Sequence, residues 1–546
     1  MESYHPNRPI TGEFDRDCAV KCLNGTFVGK DNEGVVAFRG IPFAQPPVGK
    51  LRWKDPVPVE RSDGVFEAFY NAPSAIQTKL ESERASFYHQ SEDCLYLNVW
   101  TAKGFFSQKR PVMVFIHGGN YSWGGTADPL YDGHNFVKAY PDIVLVTIAY
   151  RIGIMGFIDL SGVPGGESYP TGGNLGLLDQ IAALQYVQEN IESFGGDPSN
   201  VTIFGESAGA GSVSLLPLIP ASKGLFSRVI AESGSVALTY SKEECAVLTS
   251  MLLKETGAKT MDELCALTEE QLMEVNKKLN DNANFPERDG VVIPLDPYAE
   301  YKNGSAHPVD MMIGSNADEL RYWILDVGGV FNYRMMGRYM YRGVKKQISK
   351  QEREYAKEFI RLQKKRGTRG RTWRITEFFN DLLFRGPAIL QSEAHASHGY
   401  RTYMYYWTYP SAIPLLKACH AVELSYVFNN SDETIYTGEK AYPKLADAVQ
   451  RMWVNFAKTG DPSIEEARWE PYSESQRNTM ILGDPIRAEK DWKDTERKCV
   501  EPLLKYYFNG NFTATTSDHT SILKIAAIAA AAAAAAAIIL FILLGR

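Results

Sequence analysis

The sequence has no excess of basic charge: 58 Lys and Arg stand against 65 Asp and Glu, a formal net charge of −7. Phosphate backbones are bound by a basic face, so a general nucleic-acid binder is excluded. No zinc-type cysteine spacing occurs, nor a GxxxxGKS/T loop to cradle a nucleotide phosphate. The seven cysteines (Cys18, Cys22, Cys94, Cys245, Cys265, Cys419, Cys499) are odd in number and scattered. Cys18 and Cys22 stand four apart, but no second pair nearby completes a metal site. The set reads as reduced, intracellular thiols. The N-terminus, MESYHPNRPITGEF, lacks the basic start and apolar core of a secretory signal. Triplets such as Asn24-Gly25-Thr26 and Asn200-Val201-Thr202 then read as chance matches to a glycosylation acceptor. What remains is an enzyme for small molecules, with no cofactor and no metal expected.

Hydrophobic residues make up 44% and charged residues 23%, a balance that buries a sizeable core, and 546 residues fit a large α/β enzyme around one sheet. GTFVG, GVVAFRGIPFA and CLYLNVW read as short strands in the first hundred residues. PVMVFIHGG and IVLVTIAY are continuous apolar runs, the pattern of strands covered on both faces. NLGLLDQIAALQYVQENIESF has helical spacing, and VTIFGESAGAGSVSLLPL reads as strand, tight turn, helix. Strands alternating with helices predict a mostly parallel central sheet flanked by helices. The stretch from about 240 to 400 is richer in helix and charge and is expected to form a helical cap.

Residues 509–524 turn to Thr, Ser, Asn and Asp and read as a polar linker. From Ile525 to Leu544 run twenty uncharged apolar residues, eleven of them alanine. As a helix they span about 30 Å, the thickness of a hydrocarbon core. The nine Ile, Leu and Phe contribute roughly 0.3–0.6 kcal/mol each toward insertion, about 3–5 kcal/mol in total. The expectation is a transmembrane helix over 525–545 that anchors a 1–508 catalytic domain facing the cytoplasm. The alternative is an alanine-rich helix packed on protein, leaving the chain cytoplasmic. Arg361 to Arg374 (RLQKKRGTRGRTWR) is strongly basic; it reads as a solvated helix face, or as contact with anionic lipid headgroups beneath the anchor.

Gly205-Glu206-Ser207-Ala208-Gly209 matches G-x-S-x-G where a strand meets a helix, the elbow that exposes a serine at the carboxyl end of an α/β-hydrolase sheet. The amide of Ala208, at a helix N-terminus, is placed to donate to an oxyanion. A serine hydroxyl needs a base, for which histidine is best matched near neutrality. Five histidines follow Ser207: His307, His395, His398, His420 and His519. His519 lies in the linker, and His420 precedes AVELSYVF, a strand-like or aromatic-rich segment. Among acids, Glu319 follows MMIGSNAD, an apolar strand ending in a polar loop. On spacing alone both assignments stay open. His117-Gly118-Gly119-Asn120 closes PVMVFI, and its glycines let backbone amides approach a substrate oxygen. His117 itself reads as a structural hydrogen-bonder.

FRGIPFAQPPVGKLRW, SEDCLYLNVW, HGG, NLGLLDQIAALQYVQENIESFGGDPSNVTIFGESAGA and CHAVELSYVF, in this order, resemble the type-B carboxylesterase and cholinesterase family up to about residue 505. The resemblance implies an α/β-hydrolase fold and a triad at Ser207, Glu319 and His420. It also implies oxyanion donors at Gly119, Asn120 and Ala208, with Gly118 shaping the turn. The implied reaction is hydrolysis of a small-molecule carboxylic ester through an acyl-enzyme. An amidase or thioesterase with the same triad, or a non-catalytic adhesion protein on the same fold, is the alternative. Family members that are secreted pair two sets of cysteines; here Ala75 and Ala258 stand where partners for Cys94 and Cys265 belong. The chain is thus similar to the microbial para-nitrobenzyl esterases. Phe87, Tyr88 and charged residues replace the choline-binding tryptophan, Asn120 replaces a small residue, and Asn280–Arg288 is polar where cholinesterases place acyl-pocket aromatics.

Overall fold

A computed structural model describes residues 6–77, 89–279 and 284–508. The linker 509–524, the apolar tail 525–545 and the pair Phe87 and Tyr88 lie outside the described residues. Among the described residues no helix is long and apolar enough to cross a membrane.

The continuous apolar runs become strands buried from water on both faces. Seven parallel strands lie side by side: Asn478–Leu482, Thr402–Trp407, Asp310–Asn316, Arg228–Glu232, Gly196–Glu206, Arg110–Ile116 and Val144–Ile148. Antiparallel strands extend both ends of this block. Tyr96–Ala102, Val35–Pro42 and Lys30–Asn32 continue one edge and Arg487–Lys490 the other, giving an eleven-stranded mixed sheet. The GTFVG segment is not part of it: Gly25–Val28 sits in a separate three-stranded sheet with Ala19–Cys22 and Val65–Glu67.

Helices bury both faces of the large sheet. Leu175–Asn190 and Ala208–Leu215 lie in the core on one side and Pro443–Thr459 in the core on the other. Leu175–Asn190 buries residues around most of its circumference, as expected of a helix sandwiched in a core rather than laid on a surface. Its Asp179 accepts from Arg151 Nε (2.8 Å) and Nη2 (2.7 Å), an ion pair fully enclosed by protein.

Two sequence expectations need correction. The helical region 240–400 is not one continuous cap. Strand Asp310–Asn316 enters the middle of the sheet between the helices Lys242–Thr256, Met261–Cys265, Glu269–Leu279 and Pro297–Asn303 before it and the group from Val330–Gln347 to Gly386–Ala396 after it. The second concerns CHAVELSYVF, which is a turn at Ala421 (φ 64°) followed by one helical turn, Leu424–Val427, rather than a strand. Its apolar residues are buried on every side, and a short all-buried run carries no period that separates strand from helix. All seven cysteines are unbridged.

Strand order runs outward in both directions from Arg110–Ile116, toward Val144–Ile148 on one side and Gly196–Glu206 on the other. The carboxyl ends of such strands form a crevice at a topological switch point. The segments leaving it are His117–Asn120 and Ser207.

Candidate active site

Ser207 joins strand Gly196–Glu206 to helix Ala208–Leu215 with φ 57° and ψ −118°, a conformation a side-chain-bearing residue adopts only when its surroundings impose it. Glycine sterics impose it here. A Cβ on Gly209 would stand 1.9 Å from the Ile116 carbonyl oxygen, and one on Gly205 would stand 2.6 Å from that same oxygen. The Ser207 N–H donates to the Glu232 carbonyl (2.8 Å), and the Gly211 N–H donates to the Ser207 carbonyl (2.9 Å). The elbow is therefore fixed by backbone and leaves the hydroxyl free for chemistry.

Beyond strand Asp310–Asn316 a tight helical turn begins at Glu319, which is completely buried. Its Oε1 accepts from the Asn316 N–H (2.6 Å) and the Ser233 hydroxyl (2.7 Å), while Oε2 lies 2.6 Å from His420 Nδ1. The His420 N–H donates to the Glu319 carbonyl (3.2 Å), and the rings of Trp323 and Phe384 pack at 5.3 and 5.2 Å from the imidazole. This fixes the ring plane and directs Nε2 toward the elbow.

The loop His117–Asn120 packs directly on that elbow. A Cβ on Gly118 would meet the Glu206 carbonyl at 2.6 Å, and Gly119 and Asn120 have φ of 103° and 58°. Ser122 and Trp123 N–H groups donate to the Gly119 carbonyl, closing a tight turn. Among the described residues the N–H groups of Gly119, Asn120 and Ala208 have no acceptor. His117 is a structural group, as expected from sequence. Its Nδ1 faces the Gly118 carbonyl at 2.8 Å, its ring stacks on Tyr150, and burial pushes its pKa down to about 4.

Ser207, His420, Gly119 and Asn120 line one cavity of about 180 Å³, walled by Trp123, Tyr322, Trp323 and Tyr436. Glu319 lies behind His420, and Gly118 and Ala208 do not line the cavity but adjoin Gly119 and Ser207, which do. Within Asn280–Arg288 the described residues are 284–288, where Phe285 packs on Tyr121 and Tyr240. A larger open groove of about 1010 Å³ near Arg39 and Asp132 holds no serine–histidine pair. Among the described residues no cluster of His, Cys, Asp and Glu is arranged to hold a metal.

Sequence reasoning overlooked three further buried glutamates. Glu206 Oε1 lies 3.0 Å from His420 Nε2. Glu423 Oε2 accepts from Asn316 Nδ2 (2.5 Å), and Glu232 Oε1 accepts from Trp453 Nε1 (2.9 Å). Burial raises all three carboxyls, Glu206 to about 8 and Glu423 to about 7, with Glu232 raised well above the ordinary range. Burial alone would lower His420, but the charges of Glu206 and Glu319 outweigh it and lift the imidazole to about 9. The one available signal was adjacency: Glu206 precedes the serine, and Glu423 follows His420 by three residues.

This geometry defines a serine hydrolase of the α/β-hydrolase type. The fold supports many chemistries, so the reaction needs a narrower comparison. The chain belongs to the carboxylesterase family, whose model matches residues 16–500, and its reaction is hydrolysis of carboxylic esters. It is 34% identical over 495 residues to the para-nitrobenzyl esterase of Bacillus subtilis, covering 88% of this chain and 97% of that one. Carboxylesterase 1F of Mus musculus is 32% identical over 536 residues, covering 88% and 93%. The crystal structure of Geobacillus stearothermophilus carboxylesterase EST55 superposes with a TM-score of 0.76 at 34% identity, covering 88% of this chain and 99% of that one.

Proposed function

We propose that Ser207 is the nucleophile of this esterase, His420 its general base and acid, and Glu319 the carboxylate that orients and stabilises the imidazolium. The observation that carries the reading is the continuous chain from Glu319 through His420 into the cavity that Ser207 lines. Ser207 Oγ attacks the ester carbonyl carbon while His420 Nε2 takes its proton. The carbonyl oxygen becomes an oxyanion held by the N–H groups of Gly119, Asn120 and Ala208, with Gly118 permitting the loop's close approach. Loss of one such donor costs about 3 kcal/mol of barrier. Collapse expels the alcohol, which takes the proton from His420. Water, deprotonated by the same nitrogen, then releases the acid and restores Ser207.

The test is a panel of nitrophenyl esters combined with fluorophosphonate labelling and peptide mapping. The label is expected on Ser207, and Ser207→Ala is expected to abolish both labelling and turnover. A labelled peptide from elsewhere in the chain overturns the assignment.

We further propose that residues 1–508 form the catalytic unit and that 525–545 anchor it in a membrane, with that unit on the cytoplasmic side. Support comes from the twenty-residue apolar run alone. Deleting 525–546 is expected to move activity from the membrane pellet to the supernatant; an intact chain found wholly in the supernatant refutes the anchor.

A further inference from the structure

Two segments contain twelve Lys and Arg and no Asp or Glu, in a chain whose formal net charge is −7: residues 330–347 and 361–376. The fold brings the end of the second against the first, while Arg361 and Arg366 earlier in it pair with Glu358 and Glu496. Helix Val330–Gln347 packs on helix Arg371–Asn380, with Tyr341 against Phe378 (5.6 Å) and the Tyr333 hydroxyl within 2.9 Å of the Thr376 hydroxyl. These contacts bury one face of Val330–Gln347. The opposite face presents Phe331, Met335, Arg338 and Arg342, which follow one another at i, i+4, i+7 and i+11 and so form a single stripe. Phe331 is 74% exposed and Met335 50%, one turn apart on this stripe. Among the described residues Arg334, Arg338 and Arg342 have no ion-pair partner.

We infer that this face is a docking surface for an anionic lipid bilayer. A basic helix with a few large apolar side chains on its exposed stripe lies in the headgroup plane, the apolar groups entering the acyl boundary and the cations meeting lipid phosphates. The position of the described chain end favours a bilayer over a soluble acidic partner. Helix Asp494–Phe508 finishes against Glu352, which lies five residues beyond Gln347 and accepts from Tyr506 (2.5 Å) and Lys505 (2.6 Å). The chain therefore leaves beside the C-terminal end of the basic helix, sixteen residues before the apolar run begins at Ile525. The other end of the helix follows Trp323, which walls the catalytic cavity. Docking on this face brings the cavity close to the interface, where water-insoluble esters partition.

The test uses residues 1–508, which correspond to relatives that fold without such a tail: 88% of this chain covers 99% of the EST55 chain. Sedimentation is measured with vesicles of phosphatidylcholine alone and with about 30% phosphatidylserine. Binding is expected only with phosphatidylserine, falling at least about tenfold between about 50 and 500 mM salt. The charge reversal Arg334→Glu/Arg338→Glu/Arg342→Glu should weaken it by at least about tenfold, and Phe331→Ser/Met335→Ser should weaken it measurably. Turnover of nitrophenyl acetate without vesicles should be unchanged in both variants, which shows that they fold. No phosphatidylserine-dependent binding by the parent chain, or equal binding after charge reversal, overturns the inference. So does stronger binding to RNA or to an acidic polypeptide than to the vesicles. The choice of a bilayer rests on the proposed anchor, but binding is read on residues 1–508 and without catalysis, so failure of the anchor or of the esterase mechanism is distinguishable from failure of this inference.

Discussion

Glu206→Gln is expected to move the acid limb of the pH–activity profile to lower pH. The base must be neutral at Nε2 to accept the serine proton, so activity rises as His420 loses its proton. Glu206 lies 3.0 Å from that nitrogen and its negative charge favours the protonated ring. Two unit charges at this separation interact by about 1.4 kcal/mol at the dielectric constant of water and by about 5.5 kcal/mol at an effective value of about 20. One pKa unit corresponds to about 1.4 kcal/mol. At the pH where His420 titrates, about 9, a Glu206 carboxyl pushed up to about 8 is mostly charged, and the smaller figure sets the minimum expected. Glutamine keeps the shape and removes the charge, so His420 should titrate at least about one unit lower. More of the enzyme is then in the basic form below neutrality. The assay is kcat/KM for an uncharged nitrophenyl ester from about pH 4.5 to 9.5, a range that spans both groups. An acid limb that stays in place or moves up refutes the coupling between Glu206 and His420.

Three other outcomes are expected. Glu319→Gln should lower kcat by a factor on the order of 10⁴, since the amide favours the wrong imidazole tautomer; a loss under about tenfold would falsify its assigned role. Arg151→Met leaves Asp179 buried without its partner and should cost about 3–5 kcal/mol in denaturant unfolding, much of it recovered by adding Asp179→Leu. Thermal unfolding should be identical with and without a thiol reductant, because all seven cysteines are unbridged; a lower midpoint in reductant contradicts this.

What could be read from the sequence was what local sterics or burial decide. The elbow was legible because Gly205 and Gly209 answer to contacts under 3 Å that any side chain would violate. The central strands were legible because a run such as PVMVFI has no solvent face. Glu319 and His420 were narrowed by loop position and fixed only by resemblance, since 101 residues separate two atoms 2.6 Å apart. Glu232 and Glu423 were invisible for the same reason, since a glutamate destined for the core looks in sequence like one destined for solvent. The basic run at 361–374 was noticed, but that its end, in helix Arg371–Asn380, lies on Val330–Gln347 is a product of helix packing that neither segment encodes alone.

The buried glutamates of this cluster raise the question of why Glu319 is the partner of the imidazolium. Distance does not decide it, because Glu206 is nearly as close. Donors do. Glu319 receives a backbone N–H, a serine hydroxyl and the Nδ1 side of the ring, so its negative charge is compensated from three directions. Among the described residues one oxygen each of Glu232 and Glu423 is buried with no hydrogen-bond donor, and Glu206 Oε1 faces only His420 Nε2 at 3.0 Å. A carboxylate in that condition holds a proton more readily than it loses one, consistent with the upward shift of all three. The cluster thus separates into one carboxylate, held by three donors, that orients the base and neighbours whose protons leave only near or above neutrality. Each neighbour that ionises adds to the charge that already lifts His420 to about 9, and so holds the base protonated to higher pH.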